Sequence, residues 1–140
     1  MAGRRQPSED AQARYLADVV SAAKFDELLA AARSAEREFR DAQAASAPLP
    51  EQYALAKRLD AALTEAMRSA YAAMRAEIGP RGYQDRIYRR KAMAKPAVRA
   101  LRAEAERLLT LREAHRLTGI PPRPGGIGLP PETPAALAAH

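Results

Sequence analysis

Between Tyr53 and Ile78 the apolar residues fall at Tyr53, Ala56, Leu59, Leu63, Met67, Ala70, Met74 and Ile78, in steps of three and four. One face of a helix recurs every 3.6 residues, so this register specifies a long amphipathic helix. Its limits are written beside it. Pro50 suits the first helical turn, with Glu51 next to it, and Gly79–Pro80 is a stop signal. A helix is therefore expected over 50–78.

The stretch before it has the same period. Ser8 is a good N-cap, and Glu9 and Asp10 place acids where the helix dipole favours them. Tyr15, Val19, Ala22, Phe25, Leu29, Ala32, Ala35 and Phe39 continue the stripe, widened by Leu16, Val20, Ala23 and Leu28, with room for a sub-break near Lys24–Asp26. A helix over 8–46 ending in the Pro-containing loop AASAPLP is expected to fold back on the second helix as a long antiparallel hairpin. A third pattern, Tyr83, Ile87, Ala94, Val98, Leu101, Ala105, Leu108, Leu111 and Leu117, predicts a helix over 83–118. Its register carries across Pro96, which argues for a kink there, and Gly119–Ile120 suits a left-handed C-terminal cap.

Composition limits how well such helices can bury themselves. Of the apolar residues 34 are Ala, against 32 with larger side chains and no Trp, so helices form readily around a thin core. Thin cores are often completed by self-association or a partner. The expected organisation is all-α: a flexible basic tip over 1–7, a helical domain over 8–118 and an extended Pro/Gly-rich C-terminal arm over 119–140. The arm is read from composition as a tail without fixed structure, or as a docking segment anchored by Ile120, Ile127, Leu129 and Leu137 among its prolines.

Charge is concentrated in one place. Gly79–Arg102 carries eight cations against the single acid Asp85, a net +7 in a chain of net +6, while 8–47 is net −3. If the third helix is continuous, Lys91, Lys95, Arg99 and Arg102 form one ridge, which Arg86, Arg89 and Arg90 extend. Such a ridge can follow a phosphate backbone, meet an acidic protein surface or simply be a solvated face. Gln84 is the only side-chain amide nearby, so sequence-specific base readout is not expected; Tyr88 is a candidate to stack on bases, and Tyr83 belongs to the core stripe.

Catalytic patterns are missing by comparison. The chain has no Cys and only His115 and His140; His115 sits where a helix C-terminus favours positive charge. There is no HExxH, and Gly125–Gly128 lacks the Lys-Ser/Thr of a phosphate loop. Surface acids are expected to pair with bases, Glu104 with Arg107 and Glu113 with Arg116. No stretch matches a family motif, although a helical hairpin with an arm is an architecture used by small virion-assembly and packaging proteins. The expectation is a non-enzymatic structural or assembly adaptor, self-associating or docked on a larger particle, with its ridge facing an anionic partner. The alternative is a sequence-nonspecific nucleic-acid-binding accessory or packaging protein. No cofactor, metal, membrane or small-molecule substrate is expected, and no targeting segment is evident, which points to the cytoplasm.

Overall fold

The computed structural model describes residues 6–121, which are helical apart from short connections, with no strand among them. Five α-helices follow in order: α1 (Glu9–Ala22), α2 (Phe25–Ala44), α3 (Leu49–Ile78), α4 (Arg86–Ala92) and α5 (Pro96–Ala114). A 3₁₀ turn, Pro80–Tyr83, links α3 to α4, and a π turn, His115–Gly119, ends the helical region. No helix among the described residues is long and apolar enough to cross a membrane.

α3 is the central element, packed by α1, α2 and α5. Arg58 of α3 faces Glu38 of α2, Ser69 faces Ser21, and Arg75 faces Asp18 of α1. Partner numbers fall as α3 numbers rise, so α1 and α2 run antiparallel to it. Contacts from Ala56, Asp60 and Met67 to His115, Arg116 and Arg112 set α5 antiparallel as well. The main core gathers Ala32, Phe39, Ala56, Leu59, Leu63, Ala66, Ala70, Ala105 and Leu108. Phe39 is wholly enclosed, a burial worth about 1.5–3 kcal/mol. A second, smaller cluster of Ile78, Ala92 and Val98 holds α4 and the start of α5 to the end of α3.

Three junctions depart from the sequence expectations. The first predicted helix is two, divided at Ala23–Lys24, where the Ser69 hydroxyl donates to the Ser21 carbonyl at 2.8 Å and holds the bend against α3. Because α1 turns there, Leu16 and Val20 lie more than half exposed, with Val19 at 39%. The inward positions are taken by Ala11, which is buried, and by half-buried Tyr15, Asp18, Ser21 and Ala22. At Pro96 the chain does not kink one helix but starts another. The pyrrolidine ring excludes the preceding residue from the helical region; Lys95 accordingly has ψ 139°, and Pro96 opens α5. In consequence Ile87, Leu111 and Leu117 of the expected stripe are exposed, at 69%, 45% and 82%. Lastly, Gly119 is not a left-handed cap, since Gly79 is the described glycine with positive φ, at 99°.

The α2–α3 loop closes itself. Ala47 N–H donates to the Ala42 carbonyl and Ser46 N–H to that of Gln43, with Ser46 at φ 53°. This is the paired hydrogen bonding of a helix ending in a left-handed residue, here a serine. The Gln52 side chain adds a bond to the Ala47 carbonyl at 2.7 Å. At the N-terminal end Gln6 and Ser8 are tied to Gln84, Ser8 N–H donating to its side-chain oxygen at 2.8 Å and its amide donating to the Gln6 carbonyl. The expected free tip over 1–7 is therefore anchored at its last residues. Of the expected arm, Ile120 is half-buried against the main core; Ile127, Leu129 and Leu137 lie outside the described residues.

Candidate functional site

The basic stretch begins as α3 ends. Gly79 adopts φ 99° and ψ 171°, a conformation open essentially to glycine alone. The chain then turns through Pro80–Tyr83 and enters α4 at Asp85. The Asp85 carboxylate accepts from Tyr88 N–H at 2.9 Å, capping α4, and receives Arg81 at 3.3 Å. The Tyr88 N–H bond holds its pKa below the usual carboxylate value against an opposing desolvation, and the Arg81 contact adds to the lowering. The single acid of the stretch is thus engaged locally.

Beneath the turn lies a network that spacing did not reveal. Arg75 grips Asp18 with two hydrogen bonds, 2.7 and 3.0 Å, and the Tyr83 hydroxyl donates to the same carboxylate. Partial burial works to raise the Asp18 pKa, but hydrogen bonds from Arg75 and Tyr83 and the Arg75 charge outweigh it and leave it lowered. Burial, then the bond to Asp18, push the Tyr83 phenol far above its ordinary value. Tyr83 also meets Tyr15 edge-on at 6.5 Å, and the Arg81 guanidinium covers the Tyr88 ring at 4.6 Å. Both rings of the basic stretch are therefore occupied within the fold.

The seven cations of the expected ridge do not form one surface. The break at Lys95 ends α4 before α5 begins, so the four-residue steps from Lys91 to Lys95 to Arg99 do not run along one helix. Arg89 turns inward, half-buried, and donates to the Gly82 carbonyl at 2.6 Å. Arg102 is bound to Glu106 at 2.9 Å. Arg86, Arg90, Lys91, Lys95 and Arg99 are exposed, and their side chains make no ion pair or hydrogen bond among the described residues. The fold instead brings Arg86, Arg89 and Arg90 together with Arg75 of α3 around an open groove whose apolar lining is Met74, Ile87 and Met93. Arg75 and Arg89 also line a small adjoining cavity with Arg14 and Tyr83. Arg14 lies far from the basic stretch in sequence and Arg75 just before it, in the last turn of α3; the missed signal was Asp18, an acid on the inward side of an otherwise apolar stripe.

The other end of α3 holds a second network. Arg116 grips Asp60 with bonds of 2.6 and 3.2 Å instead of pairing with Glu113, which lies beside Arg112 at 3.4 Å. The Arg116 bond, opposed by partial burial and helped by its charge, lowers the Asp60 pKa. Glu104 does bind Arg107, at 2.6 Å. His115 is buried, edge-on to Phe39 at 5.6 Å, with Nε2 donating to the Ala56 carbonyl at 2.9 Å. It is thus a packed bridge between the end of α5 and α3. Gly119 lies against it so closely that an added Cβ would fall 2.5 Å from Nδ1. A groove beside His115 is lined by Glu36, Arg40 and Gln43, but Arg40 is bound to both of the others, at 3.9 and 3.1 Å. No protein-family profile, no curated protein and no solved structure matches the chain.

Proposed function

We propose that the chain is a non-enzymatic helical adaptor. In this reading the antiparallel hairpin of α2 and α3 is the scaffold, and the corner built by α4 and the start of α5 docks on an anionic partner within a larger assembly. The observation that carries it is the imbalance at that corner. Arg86, Arg90, Lys91, Lys95 and Arg99 are exposed without an acidic partner among the described residues, while Asp85 is committed to Tyr88 N–H and Arg81. Uncompensated cations on a rigid corner raise the local concentration of anions and speed encounter with them.

The engagement of His115 with the Ala56 carbonyl supports the non-catalytic side of the proposal. Ile120 against the main core supports an arm that leaves from a fixed point, and the cytoplasm remains the expected compartment. The second reading, nonspecific nucleic-acid binding in packaging, is supported by the same exposed lysines and arginines, which suit phosphate contacts without base readout.

Binding to duplex DNA, single-stranded DNA and polyglutamate at low and high salt tests the proposal, with the mass in solution measured alongside. Salt-sensitive binding to at least one of these polyanions is expected, with strong weakening in the Arg86→Glu, Arg90→Glu, Lys91→Glu triple variant. Absence of binding to all three at low salt, or binding indifferent to the triple reversal, rules it out.

A further inference from the structure

The groove on the α4 side of the corner has a mixed chemistry that a purely electrostatic surface would not need. Ile87 is 69% exposed in the middle of a short helix whose outward neighbours are Arg86, Arg90 and Lys91. It lines the groove with Met74 of α3 and Met93 from the α4–α5 turn, while Arg75, Arg86, Arg89 and Arg90 form the rest of the wall. Arg75 is held by Asp18 and Arg89 by the Gly82 carbonyl, so those two are fixed wall. Arg86 and Arg90 are the cations left to reach a ligand, one helical turn apart, with Ile87 a neighbour of Arg90 and lining the same groove.

Resting on the reading of this corner as an anion-docking surface, we infer that the groove of Met74, Ile87 and Met93 between Arg86 and Arg90 binds an acidic amphipathic segment of a partner protein. The segment places an apolar side chain on Ile87 and carboxylates on the two arginines. Charge complementarity selects an acidic occupant, and the apolar lining selects one with apolar side chains of its own. Thioethers adapt to varied apolar shapes, and arginines at the edge of an apolar patch are the usual anchors of protein interfaces. An amphipathic helix laid in a groove is a recurring way of using such a surface. Nucleic acid fits it less well. A phosphate backbone gains nothing from Ile87, and the rings that would stack on bases are occupied, Tyr83 by Asp18 and Tyr15 and Tyr88 by Arg81.

Fluorescence anisotropy on the intact chain tests this, with four probes. They are a labelled synthetic peptide with a leucine stripe on an otherwise glutamate-rich helix, the same peptide with its leucines changed to serine, duplex DNA, and phosphatidylserine vesicles. The leucine peptide is expected to bind at low salt, with the serine peptide weaker by about ten-fold or more, as removing a buried aliphatic contact implies. Ile87→Ser should weaken the leucine peptide by a similar factor without changing helicity, and the Arg86→Ala, Arg90→Ala pair should reduce its salt dependence. Equal binding of the two peptides, or indifference to Ile87→Ser, overturns the inference. Binding of DNA or vesicles but not of the leucine peptide also overturns it while leaving the anion-docking proposal standing. If none of the four binds at low salt, both fall. If the chain alone is an oligomer that Ile87→Ser dissociates, the occupant is a second copy and the partner segment is wrong.

Discussion

At one end of α3, Arg75 grips Asp18 beneath the Pro80–Tyr83 turn; at the other, Arg116 grips Asp60 beside the buried His115. Both are bidentate arginine–aspartate pairs between α3 and a neighbouring helix. Their surroundings differ. The Asp60 end belongs to the main core with Phe39, Leu59 and Leu108, and it closes on itself. The Asp18 end rests on the small cluster of Ile78, Ala92 and Val98, and five exposed cations follow it. The same pair, its arginine half-exposed, thus lies beside the main core at one end and beneath a charged surface at the other. Stability is concentrated where the large apolar side chains are, and the free charge lies where they are few.

The largest effect expected from that difference is in packing. Phe39→Ala should cost about 3–5 kcal/mol by removing a fully enclosed ring. Val98→Ala, in the small cluster, should cost about 2 kcal/mol for two methyl groups. Urea unfolding of the two variants compares them; similar losses would mean that the clusters are one cooperative core.

Next come the two carboxylates. Asp18→Ala removes the acceptor of both Arg75 and Tyr83 and should cost about 1–3 kcal/mol. Asp60→Ala should cost less, because it strands only the half-exposed Arg116, whereas Asp18 is also the acceptor of the Tyr83 hydroxyl. Both acids are held below the ordinary value of 3.8 in the folded chain. Their contribution is therefore complete above that value and lost as pH falls through the lower folded-state value. Acid unfolding should begin below about pH 4, and its slope should flatten in Asp18→Ala. A slope unchanged by that substitution would assign acid sensitivity to other groups.

The two glycines separate backbone strain from crowding. Gly79→Ala meets no atom within 4 Å but must hold φ 99°, a cost of about 1–3 kcal/mol. Gly119→Ala carries no such strain but presses on the His115 ring, and its cost should fall if His115 is first changed to Ala. The smallest effect is Ser69→Ala, about 1 kcal/mol, because the Ser21 carbonyl keeps the Lys24 N–H as a donor. A loss of several kcal/mol there would make the α1–α2 bend a keystone of the fold.

Helix content and the stripe along α3 were legible because hydrophobic period and capping are local. Ser8, Pro50 and Gly79 mark helix ends by their own backbone chemistry, and a thin, alanine-rich core follows from composition. The division at Ala23–Lys24 was only half legible, since it depends on a hydroxyl 48 residues away. At Pro96 the apolar register and the ring's steric effect pointed in opposite directions, and the steric effect prevailed. Register is an average over many side chains, whereas the clash acts on Lys95 directly.

For the candidate site, the sequence by itself determined that a strongly basic stretch follows α3 and that Asp85 is its only acid. Tertiary structure decided which cations are available. It turned Arg89 toward the Gly82 carbonyl, bound Arg102 to Glu106, separated Lys91 from the α5 positions, and brought Arg75 and Met74 from another helix beside Ile87. The reason is physical. Charge and helical period belong to a residue and its near neighbours, but exposure, pairing and the company of an apolar side chain are fixed only when distant helices pack.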